Sequence, residues 1–141
     1  MFCGSSINTV DSKGRIFIPA RFKMELGEKF ILMNSPFGCL RIYTEEEWAR
    51  CAKKLDKAAS KDASKRNAVR NIYRTIESVT PDSQGRIVIP EAHRTNSDIT
   101  DKVEIIGMNS YIELWSPDKY EQDVAISDKE TLKNQAVELG F

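Results

Sequence analysis

A chain of 141 residues with 40% hydrophobic content can bury one or two small cores, and its 21 Lys and Arg cancel its 21 Asp and Glu, so net charge neither selects nor excludes a polyanionic partner. Three cysteines without CxxC spacing and a single histidine exclude a disulfide framework and a Cys/His zinc site, and they suit a reducing cytosol. No apolar run approaches the roughly 18 residues of a membrane span, and MFCGSSINTV lacks the charged and apolar regions of a signal peptide, so a soluble intracellular protein with no membrane partner is expected.

Residues 6 to 10 alternate polar and apolar toward Val10 and predict a strand that enters a turn. Asp11 opens the turn, where its carboxylate can accept from following backbone N–H groups, and Gly14 closes it by tolerating a positive φ. Arg15 begins a return strand with Ile16 and Ile18 on one face and Phe17 on the other; Pro19 stops it and pre-sets the first turn of a short helix, ARFKMEL. Phe22 and Leu26, four apart, point inward, and Gly27 ends that helix. Two further strands, residues 30 to 33 and 40 to 43, flank the turn SPFG.

Thr44 to Glu47 form a capping box for a helix carrying Trp48, Cys51, Ala52, Leu55 and Ala59 at helical spacing. After a break at residues 60 to 64, a second helix sets Val69, Ile72, Tyr73 and Ile76 on one stripe. Residues 48 to 76 hold nine basic side chains against Asp56 and Asp62, whereas residues 91 to 141 hold five basic against eleven acidic. The chain is therefore polarised although its total is zero. A solvated helix face explains the basic run as readily as a partner does.

From Asp82 to Pro90 the opening motif returns: DSQGRIVIP repeats DSKGRIFIP, Asp11 to Pro19, with seven of nine positions identical. The strand and helix order that followed the first copy follows the second, residues 103 to 106 matching 30 to 33 and residues 112 to 115 matching 40 to 43. Each copy runs for about 45 residues, near the lower limit for an independent core, so the copies must share one core or borrow from a partner chain. Ser116 and Pro117 start another helix, and Ser127 with Glu130 caps a last one bearing Leu132, Ala136, Val137 and Leu139, which is expected to dock on its own domain or on a neighbouring subunit.

Chemistry of the catalytic kind is scarce. No HExxH, GxSxG, Walker or GxGxxG pattern occurs, and His93, which stands where Phe22 stands in the first copy, is expected to pack. Neither a metal, a cofactor nor a small-molecule substrate is indicated. The turns are more informative: Lys13, Arg15, Arg21 and Lys23 crowd the first with Asp11 as sole counter-charge, while Gln84, Arg86, Glu91 and Arg94 surround the second. A DxxGR turn can be no more than a well-made hairpin with Asp and Arg paired across its neck. Carried on a rigid scaffold, its arginine can instead take bidentate bonds to guanine or to phosphate oxygens.

The opening MFCG, the stretch DSKGRIFIPARF, a spacer of about 60 residues and DSQGRIVIP together resemble the MraZ family of bacterial transcriptional regulators over nearly the whole chain. The segment NIYRTIES and Cys3 depart from the family's pattern. The resemblance implies an α+β fold of two tandem SpoVT-AbrB-like modules, interlocked as a swapped-hairpin β-barrel with flanking helices. It places module one at residues 5–47, a basic helical linker at 48–75, module two at 76–119 and a helical tail at 120–141. It further implies a ring-like homo-oligomer, cytoplasmic and nucleoid-associated, that binds double-stranded DNA at short direct repeats upstream of the division and cell-wall gene cluster. Asp11 with Arg15 and Asp82 with Arg86 match the two DxxxR signatures. We assign Lys13, Arg15, Arg21 and Arg86 to DNA contact and Asp11, Gly14, Asp82 and Gly85 to hairpin structure. The alternative is an oligomeric scaffold or an antitoxin-like partner of another protein.

Overall fold

Strands of one repeat pair with strands of the other throughout the computed structural model, which describes residues 1–141. In chain order the first repeat supplies β1 (Ser5–Thr9), β2 (Arg15–Phe17), α1 (Ala20–Leu26), β3 (Phe30–Asn34) and β4 (Leu40–Thr44). A helical hairpin of α2 (Glu45–Ala59) and α3 (Ala63–Tyr73) leads to the second repeat: β5 (Glu77–Val79), β6 (Arg86–Val88), α4 (Glu91–Asn96), β7 (Lys102–Gly107) and β8 (Ile112–Trp115). Helices α5 (Pro117–Asp123) and α6 (Lys129–Glu138) end the chain.

Six strands form one antiparallel sheet in the order β1-β7-β8-β4-β3-β5, and β2 pairs only with β6. The strands flanking each Asp-Gly turn therefore do not ladder with each other: β1 leaves for β7 and β5 leaves for β3, so each repeat lends its first strand to the other. The two repeats are thereby interleaved within one chain. The barrel is not closed, because β1 and β5 are edges of the large sheet and the three-residue strands β2 and β6, stopped by Pro19 and Pro90, bond only to one another. Between ribbon and sheet, a side-chain bond from Asn8 Nδ2 to the Phe17 carbonyl (2.8 Å) stands where a ladder would have closed it.

The register exposes a pseudo-twofold axis. Ile16 pairs with Ile87 at the centre of the ribbon, and these are equivalent positions of the two repeats. In the large sheet Arg41 faces Glu113, again equivalent positions. One cluster of 18 buried side chains, from Phe2 and Ile16 in the first repeat to Ile105 and Leu114 in the second, spans this axis, so the repeats share a single core. Neither could bury these residues alone.

The pair on the axis breaks the symmetry. Arg41 Nε donates to Glu113 Oε2 at 3.3 Å, with side-chain exposures of only 19% and 12%. The guanidinium lies over the Tyr111 and Phe37 rings, and Glu113 Oε1 accepts from Trp115 Nε1 at 3.2 Å. Pairing two first repeats would set arginine against arginine at this buried point, and two second repeats would set glutamate against glutamate. Opposite charges here specify that unlike repeats pair.

Helix α2 is capped by Thr44, whose hydroxyl accepts from Glu47 N at 3.0 Å, and Trp48 joins it to Tyr43 of the sheet and Tyr73 of α3 by ring contacts. Helix α6 departs from expectation at its cap. Its cap is Asp128, accepting from Thr131 N at 3.0 Å, in place of Ser127, and Leu132, Val137 and Leu139 are exposed, so its stripe docks on nothing within the chain. No helix is long and apolar enough to cross a membrane.

Removing one partner of the axial pair leaves the other charge half-buried and alone. Arg41→Ala is expected to lower unfolding free energy by about 3 kcal/mol, and Arg41→Glu by more. The exchange Arg41→Glu with Glu113→Arg should recover most of the loss in denaturant melts, and equal losses in single and exchanged variants would show that the pair carries no pairing information.

Candidate nucleic-acid interface

Both Asp-Gly turns are built by one carboxylate. Asp11 Oδ1 accepts from the N–H groups of Lys13 (2.9 Å) and Arg15 (2.8 Å), and Oδ2 accepts from Arg15 Nε at 2.6 Å. Asp82 repeats this with Gln84 N (2.9 Å), Arg86 N (2.9 Å) and Arg86 Nε (2.8 Å). Gly14 and Gly85 close the turns at φ 77°, a region costly for a residue with a Cβ. The first pull on each aspartate is its backbone bond from Arg15 or Arg86; partial desolvation opposes it, and the guanidinium and a second N–H assist, so both carboxyls lie below their ordinary value of 3.8.

Arg15 and Arg86 spend Nε on their aspartates, while their Nη groups form no hydrogen bond within the chain. They are half-buried and held at the neck of each turn. Lys13 does stand clear, exposed and without an ion pair. Arg21 is exposed on α1, its guanidinium 4.8 Å over the Phe22 ring and beside Gly4, away from the turn's own hydrogen bonds.

The crossing of the repeats exchanges the helices as well. Lys23, counted with the first turn from sequence, lies against Gly85 of the second, and Arg94 lies against Gly14 of the first with its Nε on the Ile89 carbonyl at 3.0 Å. Ile89 N also donates to the Gly14 carbonyl at 2.9 Å. Each turn is thus buttressed by the helix of the opposite repeat, which no local pattern reveals.

Pairing of β2 with β6 lays the two turns at opposite ends of one antiparallel ribbon. Ile16 and Ile87 face the core, each 1% exposed. By the alternation of strands, Arg15, Phe17, Arg86 and Val88 share the outer face, with Arg15 opposite Val88 and Phe17 opposite Arg86. Sequence reasoning found the arginines and missed Phe17 and Val88 as partners on their face, because only the cross-repeat register joins them. A two-stranded ribbon about 5 Å between strands fits a major groove about 12 Å wide. Its Nη donors could pair with guanine O6 and N7 or with phosphate oxygens.

Other candidates are less suited to a site. His93 is buried and donates from Nε2 to the Thr75 carbonyl at 2.6 Å, which makes it a packed core histidine. No group of three or more His, Cys, Asp and Glu is gathered that could hold a metal ion. Cys39 is pushed up to about 11, first by burial, and is a structural thiol. On the helical hairpin, Arg50 is engaged by Glu46 and Glu47, Arg66 by the Ala59 carbonyl and Arg70 by Asn67.

The model of the family described as "MraZ protein, putative antitoxin-like" matches residues 1–71 and again 72–139. A protein of Clostridium tetani (strain Massachusetts / E88) named transcriptional regulator MraZ is 38% identical over 142 aligned residues, covering 100% of both chains. Its namesake from Alkaliphilus metalliredigens (strain QYMF) is 36% identical, also with 100% of both covered. A third, from Ligilactobacillus salivarius (strain UCC118), is 37% identical over 86% of this chain and 85% of its own.

Because the folded pKa of Asp11 and Asp82 is depressed, their charged forms stabilise the turns above the unfolded value, and this stability is lost as pH falls through the folded one. Amide protons of Lys13, Arg15, Gln84 and Arg86 should therefore hold their positions from neutral pH down to about 3.8 and shift together below it; Asp11→Asn should remove the titration from the first turn only. Gly14→Ala, forced into a left-handed conformation 2.9 Å from the Arg94 guanidinium, should cost about 1–2 kcal/mol in thermal or denaturant melts.

Proposed function

The chain belongs to the MraZ family, and on that premise we propose that it is a transcriptional regulator that binds double-stranded DNA through the outer face of the β2–β6 ribbon and its turns. One observation carries the reading: two Asp-anchored turns present Arg15 and Arg86 on a single ribbon face, with Nη donors free. Lys13 contributes a phosphate or guanine contact at one end, and Arg21 flanks it from α1. Full-length relatives carry the name of a transcriptional regulator, not of an enzyme, and the chain is not an enzyme.

A neutral chain with a few cations on a small face binds DNA weakly by itself, each phosphate contact adding about one unit of salt slope. Several chains in one ring-like assembly raise avidity by about 10² to 10⁴ when face spacing matches site spacing. Contacts that close a ring present every face in one sense, which suits short direct repeats in the promoter of the division and cell-wall gene cluster. On this reading the protein acts in the cytoplasm, at the nucleoid. The antitoxin-like alternative draws on one feature, the exposed Leu132 and Val137 of α6 with Leu139 at its C-terminal cap, as a surface for a protein partner.

Arg15→Ala and Arg86→Ala should each weaken binding by about 1–3 kcal/mol and relax base preference. Lys13→Ala should lower the salt slope by about one. Footprinting on the DNA upstream of the protein's own gene at two salt concentrations reads these effects with the repeat spacing. Unchanged affinity and salt slope in Arg15→Ala would favour the protein-partner reading.

A further inference from the structure

The two halves of the ribbon are nearly interchangeable, and their differences are confined to one surface. Between Asp11–Pro19 and Asp82–Pro90 only Lys13 against Gln84 and Phe17 against Val88 differ. All four of these side chains are exposed, Phe17 at 51% and Val88 at 52%. The identical positions are those that fold the unit: Asp and Gly make the turns, Arg ties the necks, and Ile16 and Ile87 fill the core. Apart from the exposed Ser12 and Ser83, the halves agree at positions that build the turns, necks and core, and they differ only on the exposed surface.

The differences also change the ribbon's chemistry from end to end. Phe17 faces Arg86, whose guanidinium is 5.9 Å from its ring, whereas Arg15 faces the smaller Val88. Lys13 is an extra cation at one turn, and Gln84 is neutral at the other. With these four positions matched, and Arg21 of α1 matched to its counterpart Ala92, the pseudo-dyad through Ile16 and Ile87 would lie on the dyad of a duplex, and the chain would read a palindrome. As it stands, the two ends offer different readouts. Lysine favours guanine or phosphate, glutamine pairs with adenine N6 and N7, and phenylalanine and valine offer apolar surfaces of different reach to a thymine methyl.

We infer that Lys13 and Phe17 in one half and Gln84 and Val88 in the other are specificity-determining residues that make a single chain read a non-palindromic duplex element, each half addressing its own half-site. The inference rests on the DNA-binding reading above, with the ribbon's outer face turned toward the bases.

Selection of bound duplexes from a random library, with the full chain, tests both and separates them. The natural sequence should select an element without dyad symmetry. Gln84→Lys with Val88→Phe and Ala92→Arg, which gives the second half the first half's contact residues, should select two inverted copies of one half-site. Lys13→Gln with Phe17→Val and Arg21→Ala should select two inverted copies of the other. Each variant should bind its own palindrome roughly tenfold or more tighter than the natural element. The substituted positions are all exposed, so thermal melts should match those of the natural chain, and two independent variants guard against one that folds poorly. An asymmetric element selected unchanged by both variants overturns this inference and leaves DNA binding standing, as does a palindrome selected by the natural chain. Selection of no sequence by the natural chain overturns the DNA-binding reading and this one with it.

Discussion

Antiparallel pairing of equivalent strands about one pseudo-dyad is the constraint on which the molecule depends. Two points fix that axis: the buried Ile16–Ile87 pair at the centre of the ribbon and the Arg41–Glu113 pair at the centre of the large sheet. Shifting one ribbon strand by one residue would turn its isoleucine, Ile16 or Ile87, to solvent and set Phe17 or Val88 inward. The same pairing brings the turns to opposite ends of one ribbon, so that two arginines 71 positions apart in sequence share a face. The geometry of the interface is thus a consequence of how the core is closed.

Charge is arranged locally on a chain whose total is zero. Each turn neutralises its arginine with its own aspartate, so the guanidinium is oriented first and left available at its Nη edge second. Orientation matters more than net charge here, since a planar guanidinium held by Nε presents a defined pair of donors. Lys13 then makes the first turn cationic by one relative to the second. Crossed helices support this arrangement, Arg94 packing on the first turn and Lys23 on the second, so strain at one turn is felt by the opposite repeat.

The parts outside the interlocked core have different rules. The α2–α3 hairpin is tied to the sheet by Tyr43, Trp48 and Tyr73; of its basic side chains Arg50, Arg66 and Arg70 are engaged within it, by glutamates, a carbonyl and an amide, and the lysines are left to solvent. Helix α6 has good caps and an acidic first turn but buries none of its apolar residues. A capped helix with an unpartnered apolar stripe is stable in outline from local sequence, whereas its partner is not written in that stripe.

Much of the local structure was legible because it is set by short-range chemistry. Asp11 and Gly14 determine a turn whether or not the rest of the chain is known, Pro19 and Pro90 stop strands and start helices, and Thr44 caps α2 by reaching an N–H three residues ahead. The repeat of nine residues, and with it the need for a shared core, is likewise a property of sequence alone. Tertiary structure decided what pairs with what: β1 with β7 in place of its own hairpin partner, an open sheet beside a separate ribbon in place of a closed barrel, Lys23 at the far turn, and Phe17 beside Arg86. Two copies of one motif offer equivalent partners to every strand, so local preference cannot distinguish pairing within a repeat from pairing across it. Burial of the common core and the opposite charges of Arg41 and Glu113 make that choice.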